Sequence, residues 1–168
     1  MAEAAHTNSD KHVSFERGRG VQDIFVTPDV THMVVEVGSD ADRTARILQV
    51  FRALADDGIP LFFIKLHGAA VSFALPGNRL SDAENGLRQA GFSCSPQSNL
   101  AIVSVVATAM QDQTGVLIRI ADALQSAQVR TFGIGDAHDR VQVLIEAAGA
   151  DAAVAELRRA FEMEGLRA

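Results

Sequence analysis

Hydrophobic and polar positions alternate with two different periods along the chain, and this predicts strands and helices in a regular order. An apolar strand at Val21–Val26 is followed by a turn through Pro28-Asp29 and a second strand at Met33–Val37. Apolar residues then recur three and four positions apart, which predicts a helix that Gly58 ends. Its apolar face holds Ile47, Val50, Phe51 and Leu54.

The same pattern continues with two strands, a helix and a short strand. A mostly apolar strand is predicted at Ile59–Leu66, and another at Val71–Leu75, where Val71, Phe73 and Leu75 alternate with smaller or polar residues. A capping box from Ser81 to Glu84 predicts the start of a helix that ends at Gly91. Phe92–Pro96 is the last strand, so the unit is βαββαβ.

This unit recurs at a constant offset of 70 residues. Val35–Ala90 aligns without a gap with Val105–Ala160, and 12 of the 56 pairs are identical, where uneven apolar usage alone would give about 3 or 4. The second copy predicts strands and helices in the same order: Ala101–Thr108, Val116–Ala127, Val129–Gly135, Arg140–Ala147 and Asp151–Met163. In its first helix the predicted inward residues are Leu117, Ile120, Ala121 and Leu124.

The second copy lacks a fourth strand after its last helix, and a sheet without its edge strand exposes unpaired backbone. We expect Val21–Val26 to supply that strand, so that deletion of residues 1–27 destabilises the second copy. The predicted fold is α+β, with two ferredoxin-like βαββαβ modules, antiparallel sheets and helices on one face. Module 1 covers residues 31–98 and is inserted into module 2, which covers residues 20–30 and 99–168. Residues 1–19 form a polar tail that we expect to be disordered.

Composition narrows the classes of function. A net charge of −6 and the absence of Trp and Tyr argue against nucleic acid as a partner. No apolar run approaches the length of a membrane span and the N-terminus has no signal-peptide core, so we expect a cytoplasmic protein without membrane contact. Cys94 is the single cysteine, and no Gly-rich phosphate loop or metal motif is present, so no cofactor is implied.

Two turns are candidates for ligand binding, because each lies before a predicted helix whose free N–H groups and dipole suit a carboxylate. The first turn contains Asp42, Thr44 and Ala45, and the second contains Asp112, Gln113, Thr114 and Gly115. The alternative is that Asp or Thr only caps the helix. Gly115 lets a ligand approach the backbone more closely than Ala45 does, so the second turn is the better candidate.

Other polar residues give no convincing catalytic set. His67 and His138 lie near turns, and Asp136 to Asp139 could suggest a metal, but the ligands are too few and a solvated turn is the better interpretation. Cys94 has no base beside it in the sequence, so we interpret it as a structural thiol.

The tandem βαββαβ units, the turn text Met110–Val116 and the helix text Phe51–Ile59 resemble paired ACT domains. The most similar cases are the regulatory half of aspartate kinase and the separate small subunit that some bacteria make, over roughly Gly20 to Leu166. The resemblance implies an amino-acid-sensing regulatory module without a kinase domain, a larger kinase subunit as partner and an effector such as threonine or lysine. We also expect a homodimer, because closing sheet edges and burying apolar helix faces both favour association about a two-fold axis. The chain departs from the family pattern at Ala45, where the family has Gly, and at Arg130-Thr131, where it has Asn-Ile.

If an amino acid binds, we expect its carboxylate to meet the backbone at Thr114–Val116 and its ammonium to meet Asp112. Val129, Arg130 and Thr131 would close the pocket. Gly115→Val should then abolish binding with a modest change in stability, provided that the φ angle of Gly115 is negative.

Two other interpretations stay open. The chain could be an ACT pair that binds no effector and acts only in dimerisation or docking. It could also be a small hydrolase of the acylphosphatase type on the same fold, which needs an Arg in the first turn and a partnered Asn. Arg43 meets the first requirement, but Asn78 lies in a different turn.

Overall fold

The structure is a computed structural model, and it describes residues 20–108, 115–136 and 139–163. The predicted tail at residues 1–19 lies outside the described residues. Six strands and four helices are present in this part of the chain, in the order β1 Gly20–Glu36, α1 Arg43–Asp56, β2 Phe62–Leu66, β3 Ala70–Pro76, α2 Leu80–Gln89, β4 Cys94–Thr108, α3 Val116–Ser126, β5 Thr131–Asp136, β6 Arg140–Glu146 and α4 Ala150–Ala160. The fold is therefore α+β, as the sequence predicted.

All six strands form one antiparallel sheet in the order β2-β3-β1-β4-β6-β5. The two long central strands, β1 and β4, pair along most of their length. The first part of β1 pairs only with β4, with Val21 opposite Ala107 and Val26 opposite Val103. From Val30 onward β1 also pairs with β3.

Two separate hydrophobic cores lie under the helices. The side chains of Leu54 on α1 and Leu87 on α2 are buried in the first core with Met33, Val35 and Phe73. Leu124 on α3 and Leu157 on α4 are buried in the second core, with Ile24 and residues of β4 and β6. We call the elements around these cores the α1/α2 half and the α3/α4 half.

A smaller apolar cluster lies apart from both cores. Its buried members come from β1, β3, β4 and β6, and the three phenylalanines that pack against them come from the terminal strands β2 and β5. The cluster consists of Val30, Ala74, Leu100, Ile102, Leu144, Phe62, Phe63 and Phe132. It therefore joins elements of the two halves.

The predicted turn at Pro28-Asp29 is wrong, because β1 continues through these residues as a single strand. The register to β4 shifts between Thr27 and Val30, and Asp29 takes a φ of 51°. A bulge of this kind accommodates a proline and an extra residue without ending the strand. The predicted strands Phe92–Pro96 and Ala101–Thr108 are likewise one strand, β4, with Asn99 at a φ of 61°.

The predicted capping box is also wrong. Helix α2 begins at Leu80, and the residue before it, Arg79, makes no side-chain cap. Instead the Nε atom of Arg79 donates to Oδ2 of Asp82 at 3.0 Å. In α3, Leu117 is 54% exposed and Ala121 is exposed, so neither faces inward as predicted. Val116 and Ala123 take those buried places beside Ile120 and Leu124. No helix in residues 20–108, 115–136 and 139–163 is long and apolar enough to cross a membrane.

Candidate functional site

The turn before α1 is held together by its own acidic residue. The backbone N–H of Asp42 donates to Oδ1 of Asp40 at 3.2 Å, and the N–H of Arg43 donates to the backbone oxygen of Asp40 at 3.2 Å. Asp42 occupies the N-cap position of α1, but its side chain makes no capping hydrogen bond. Thr44 and Ala45 are exposed on the first turn of the helix.

Arg43 ties this turn to the hairpin between β2 and β3. Its Nη2 atom donates to the backbone oxygen of His67 at 2.5 Å. Its Nε atom is buried and has no hydrogen-bond partner within the described part of the chain. The His67 N–H in turn donates to the oxygen of Ala70 at 2.9 Å. The side chain that starts α1 therefore covers the end of β2.

Two histidines and a buried serine lie on the same end of the sheet. Nε2 of His67 is 2.8 Å from the hydroxyl oxygen of Ser72, whose residue is 2% exposed. His32 is half-buried on β1, and burial lowers its pKa, with a further lowering from the charge of His67. His32 therefore favours the neutral form. Within the described ranges no group of three or more potential metal ligands occurs, and His138 lies outside them.

The start of α3 differs from the start of α1. Gly115 is the N-cap residue, with a φ of 90°, and within the described part of the chain no side chain caps the helix. A Cβ atom built on Gly115 meets no heavy atom of the described residues within 4 Å. The Gly115→Val prediction required a negative φ, and this condition is not met. Valine at this position would therefore strain the backbone. Asp112, Gln113 and Thr114 lie outside the described residues.

The other predicted site residues lie at the opposite end of α3. Val129 is half-buried against Gly149. Arg130 pairs with Glu146, its Nη1 atom 3.7 Å from Oε1, and its guanidinium lies 5.0 Å from the centre of the Phe132 ring. Thr131 is the first residue of β5. A helix of 11 residues is about 16 Å long, so one chain does not bring Val129–Thr131 to Gly115.

Cys94 lies at the start of β4 and packs against the first core. Burial raises the pKa of its thiol, and the negative charge of Glu84 raises it further. Both effects reduce the thiolate fraction, and only the thiolate is a strong nucleophile. The structure therefore gives Cys94 no catalytic environment.

Sequence reasoning missed a set of exposed apolar residues that the repeat places twice. Leu48 on α1 and Ile118 on α3 are 50% and 66% exposed, and Ile64 on β2 and Ile134 on β5 are 47% and 45% exposed. Each pair is separated by the repeat offset of 70 residues. The sequence does carry a signal for them. Both members of each pair are apolar, although an exposed position on a helix or a strand does not require an apolar residue.

The comparisons connect this fold to regulatory proteins. No protein-family model matches the chain. Over 115 residues, 68% of this chain, the sequence is 28% identical to aspartokinase 1 of Bacillus subtilis (strain 168), and the match spans 28% of that protein. The chain thus corresponds to less than a third of the length of this curated relative.

Two solved structures are similar along almost their full length. The ligand-free regulatory subunit of aspartate kinase from Thermus thermophilus superposes with a TM-score of 0.75 at 22% identity, covering 85% of this chain and 99% of that chain. A structure of aspartokinase alpha and beta subunits gives a TM-score of 0.75 at 24% identity, covering 84% and 99%. The chain therefore resembles the regulatory region of aspartate kinase, in agreement with the ACT-type resemblance of the sequence. The match to the Thermus thermophilus regulatory subunit extends along 99% of that chain, so the fold of the whole matched subunit is shared.

Proposed function

We propose that this chain is an amino-acid-sensing regulatory module that acts on an aspartate-kinase-type enzyme. The observation that carries the proposal is the match to the Thermus thermophilus regulatory subunit, which spans 99% of that chain. A regulatory role follows from the fold of the matched proteins, and amino-acid sensing follows from the ACT-type resemblance of the sequence. A larger catalytic chain is the expected partner, because one matched structure contains alpha and beta subunits together. A cytoplasmic location stays a prediction of the sequence.

We further propose that the two halves are two ACT modules, with module 1 inserted into module 2. Support comes from the pairing of Val21–Val26 with β4 beside the second core, and from the burial of Ile24 in that core. Support also comes from the separation of the two cores, each of which is covered by its own pair of helices. Residues 31–98 and residues 20–30 with 99–168 are the proposed boundaries.

The proposed effector site is the start of α3. The first N–H groups of an α-helix have no partner within the helix, and at α3 no side-chain cap is present among the described residues. A Cβ atom on Gly115 would meet none of the described residues within 4 Å, which supports room for a carboxylate there. Val116, which follows it, is 6% exposed and anchors this end of the helix in the second core.

Val129, Arg130 and Thr131 complete such a pocket only if a second copy of the chain supplies them, because α3 separates them from Gly115 in one chain. The exposed residues Leu48, Ile118, Ile64 and Ile134 support a homodimer, since exposed large apolar side chains favour association. Light scattering tests the proposed homodimer. The unchanged protein should have the mass of a dimer, and Ile118→Asp should reduce it to the mass of a monomer. A monomeric mass of the unchanged protein at tens of micromolar would contradict it.

Calorimetry with threonine, lysine, aspartate and glutamate at millimolar concentration tests sensing. Binding of one of them is the expected result. Absence of heat with all four would instead support an ACT pair that binds no effector. Gly115→Asn should weaken binding at least about tenfold, because asparagine tolerates the left-handed conformation while its side chain fills the approach path.

A matched control is available for this substitution. Gly58 also has a positive φ, of 62°, and a Cβ there also meets nothing within 4 Å, but it lies after the end of α1. Gly58→Asn should cost similar stability and leave binding unchanged. Equal loss of binding in both variants would remove the start of α3 as the site.

A further inference from the structure

The two terminal strands of the sheet, β2 and β5, meet through side chains although no backbone pairing joins them. The ring of Phe63 on β2 lies over two glycines of β5. A Cβ atom built on Gly133 would be 2.9 Å from Cε1 of Phe63, and one on Gly135 would be 3.2 Å from Cε2. Real Cβ contacts are longer than the first of these distances, so only glycine leaves room for the ring at position 133.

Phe63 is held in an unfavourable backbone conformation. Its φ is 58°, and the register of β2 against β3 shifts between Phe62 and Lys65. A bulky residue rarely adopts positive φ, and such strain persists only where the surrounding packing enforces it. The packing at this position is the Gly133 and Gly135 surface, together with the cluster that also contains Phe62 and Phe132.

The two copies of the repeat differ at the positions that form this contact. Phe63 corresponds to Gly133 at the offset of 70, and Lys65 corresponds to Gly135. The residues beside them are unchanged, because Phe62 matches Phe132 and Ile64 matches Ile134. One copy therefore carries large side chains where the other carries none. The Nζ atom of Lys65 reaches within 3.4 Å of the Cβ position of Gly135 and lies 5.5 Å from the centre of the Phe63 ring.

We propose that Phe63, inserted against Gly133 and Gly135, is a lock that couples the two halves of the chain. β2 leads directly into the His67 turn that Arg43 holds, and β5 runs from Thr131 to Asp136 in the α3/α4 half. Movement of one strand is therefore transmitted to the other through the ring. The lock is a property of the fold and does not depend on whether an effector binds.

A double-mutant cycle on the full chain tests the contact. Gly133→Ala should lower the melting temperature by about 5 °C in the unchanged protein, because the new methyl group displaces the ring. In a Phe63→Ala background the same change should lower it by less than about 1 °C, since the ring is gone. Equal losses in both backgrounds would overturn the proposal.

Gly68→Ala is the control, because Gly68 lies in the hairpin after β2, has no positive φ and a Cβ there meets nothing within 4 Å. It should shift the melting temperature by less than about 1 °C in either background.

Amide hydrogen exchange tests the coupling itself and does not require Gly133→Ala to fold. Phe63→Ala should accelerate exchange about tenfold in β5, although no residue of β5 has changed, and leave β3 and β6 much less affected. Acceleration confined to β2 would overturn the proposal, because the halves would then open independently. If Phe63→Ala is too unstable, Phe63→Leu should give the same pattern at a smaller amplitude, and acceleration confined to β2 in that variant would equally overturn the proposal.

Discussion

The starts of α1 and α3 differ, although the residues before them align at the repeat offset. Before α1, Asp40 accepts from the turn and Arg43 reaches across to His67. Before α3, Gly115 turns the backbone into the left-handed region, and its position makes no side-chain cap among the described residues. The cores beneath the two helices are similar, with Leu54 and Leu124 buried at equivalent positions. The two halves thus keep the packing under the helix and differ in the residue that precedes it, which is Asp42 before α1 and Gly115 before α3.

The largest effect should come from removing the first part of β1, which pairs with β4 and contributes to the α3/α4 half. Deletion of residues 1–27 removes Ile24 from the second core and takes away the β1 partner of residues 102–108 of β4. We expect a fall in melting temperature of more than about 10 °C. Amide hydrogen exchange should accelerate more in β6 than in β3. Deletion of residues 1–18 is the control. Equal melting of the two truncated proteins would contradict the prediction.

Equivalent core substitutions test whether the two halves contribute equally. Leu54 is 0% exposed and Leu124 is 4% exposed. Leu54→Ala and Leu124→Ala should each lower the free energy of unfolding by about 2–5 kcal/mol, because each leaves a cavity in its core. Urea denaturation gives both values. A loss below about 1 kcal/mol for either variant would mean that its core repacks, and that the halves are less alike than their burial indicates.

The difference between the helix starts is tested at Arg43. Arg43→Gln removes the hydrogen bond to the His67 oxygen and should cost about 0.5–1.5 kcal/mol of unfolding free energy. Exchange of the His67 amide should rise, because its hairpin loses the contact to α1. Arg52→Gln, on the exposed face of the same helix, is the control and should change neither. An unchanged His67 amide would show that Arg43 does not hold the hairpin.

The smallest effect should be the pH dependence at His32. Burial, and then the charge of His67, lower the pKa of His32 in the folded state, so the unfolded chain binds more protons below its own pKa of about 6.5. The contribution of His32 to the free energy of unfolding is therefore fully present above about pH 6.5. It is lost as the pH falls through the lower pKa that His32 has in the folded state. His32→Gln should flatten the fall in melting temperature between about pH 7 and pH 5.5. The prediction would be contradicted if the melting temperature of the His32→Gln variant fell with pH as steeply as that of the unchanged protein.

Much of the fold could be predicted because it depends on local periodicity. The apolar spacing of Leu54 and Leu124, and the glycines that end α1 and α2, place the helices within a few residues. The long strands were missed because Pro28-Asp29 is typical of a turn, and only the pairing to β4 carries the chain through it as a bulge. Around the bulge, that pairing joins residues 70 or more positions apart in the sequence, and local sequence patterns do not reveal such contacts.

The site was less predictable for the same reason. The Asp and Thr of each turn suggested caps, but Asp42 caps nothing with its side chain, and the turn is held by Asp40 instead. The contact of Arg43 with His67 spans 24 positions and has no sequence signature. The positive φ of Gly115 could not be predicted, because glycine permits either sign. The binding roles of the predicted site residues stay predictions.

The shared strands β1 and β4 also set an order for folding during synthesis. The α1/α2 half is complete once Pro96 and Gln97 can pair with β1, and every contact of its core then lies within residues already made. The first part of β1, with Ile24, has no strand beside it until residues 102–108 emerge, and β6 follows only at Arg140–Glu146. Ile24 must therefore wait until residues 102–108 have left the ribosome before it gains a partner strand. During that interval we expect the apolar side chains of this strand to be exposed, which favours aggregation and contact with a chaperone.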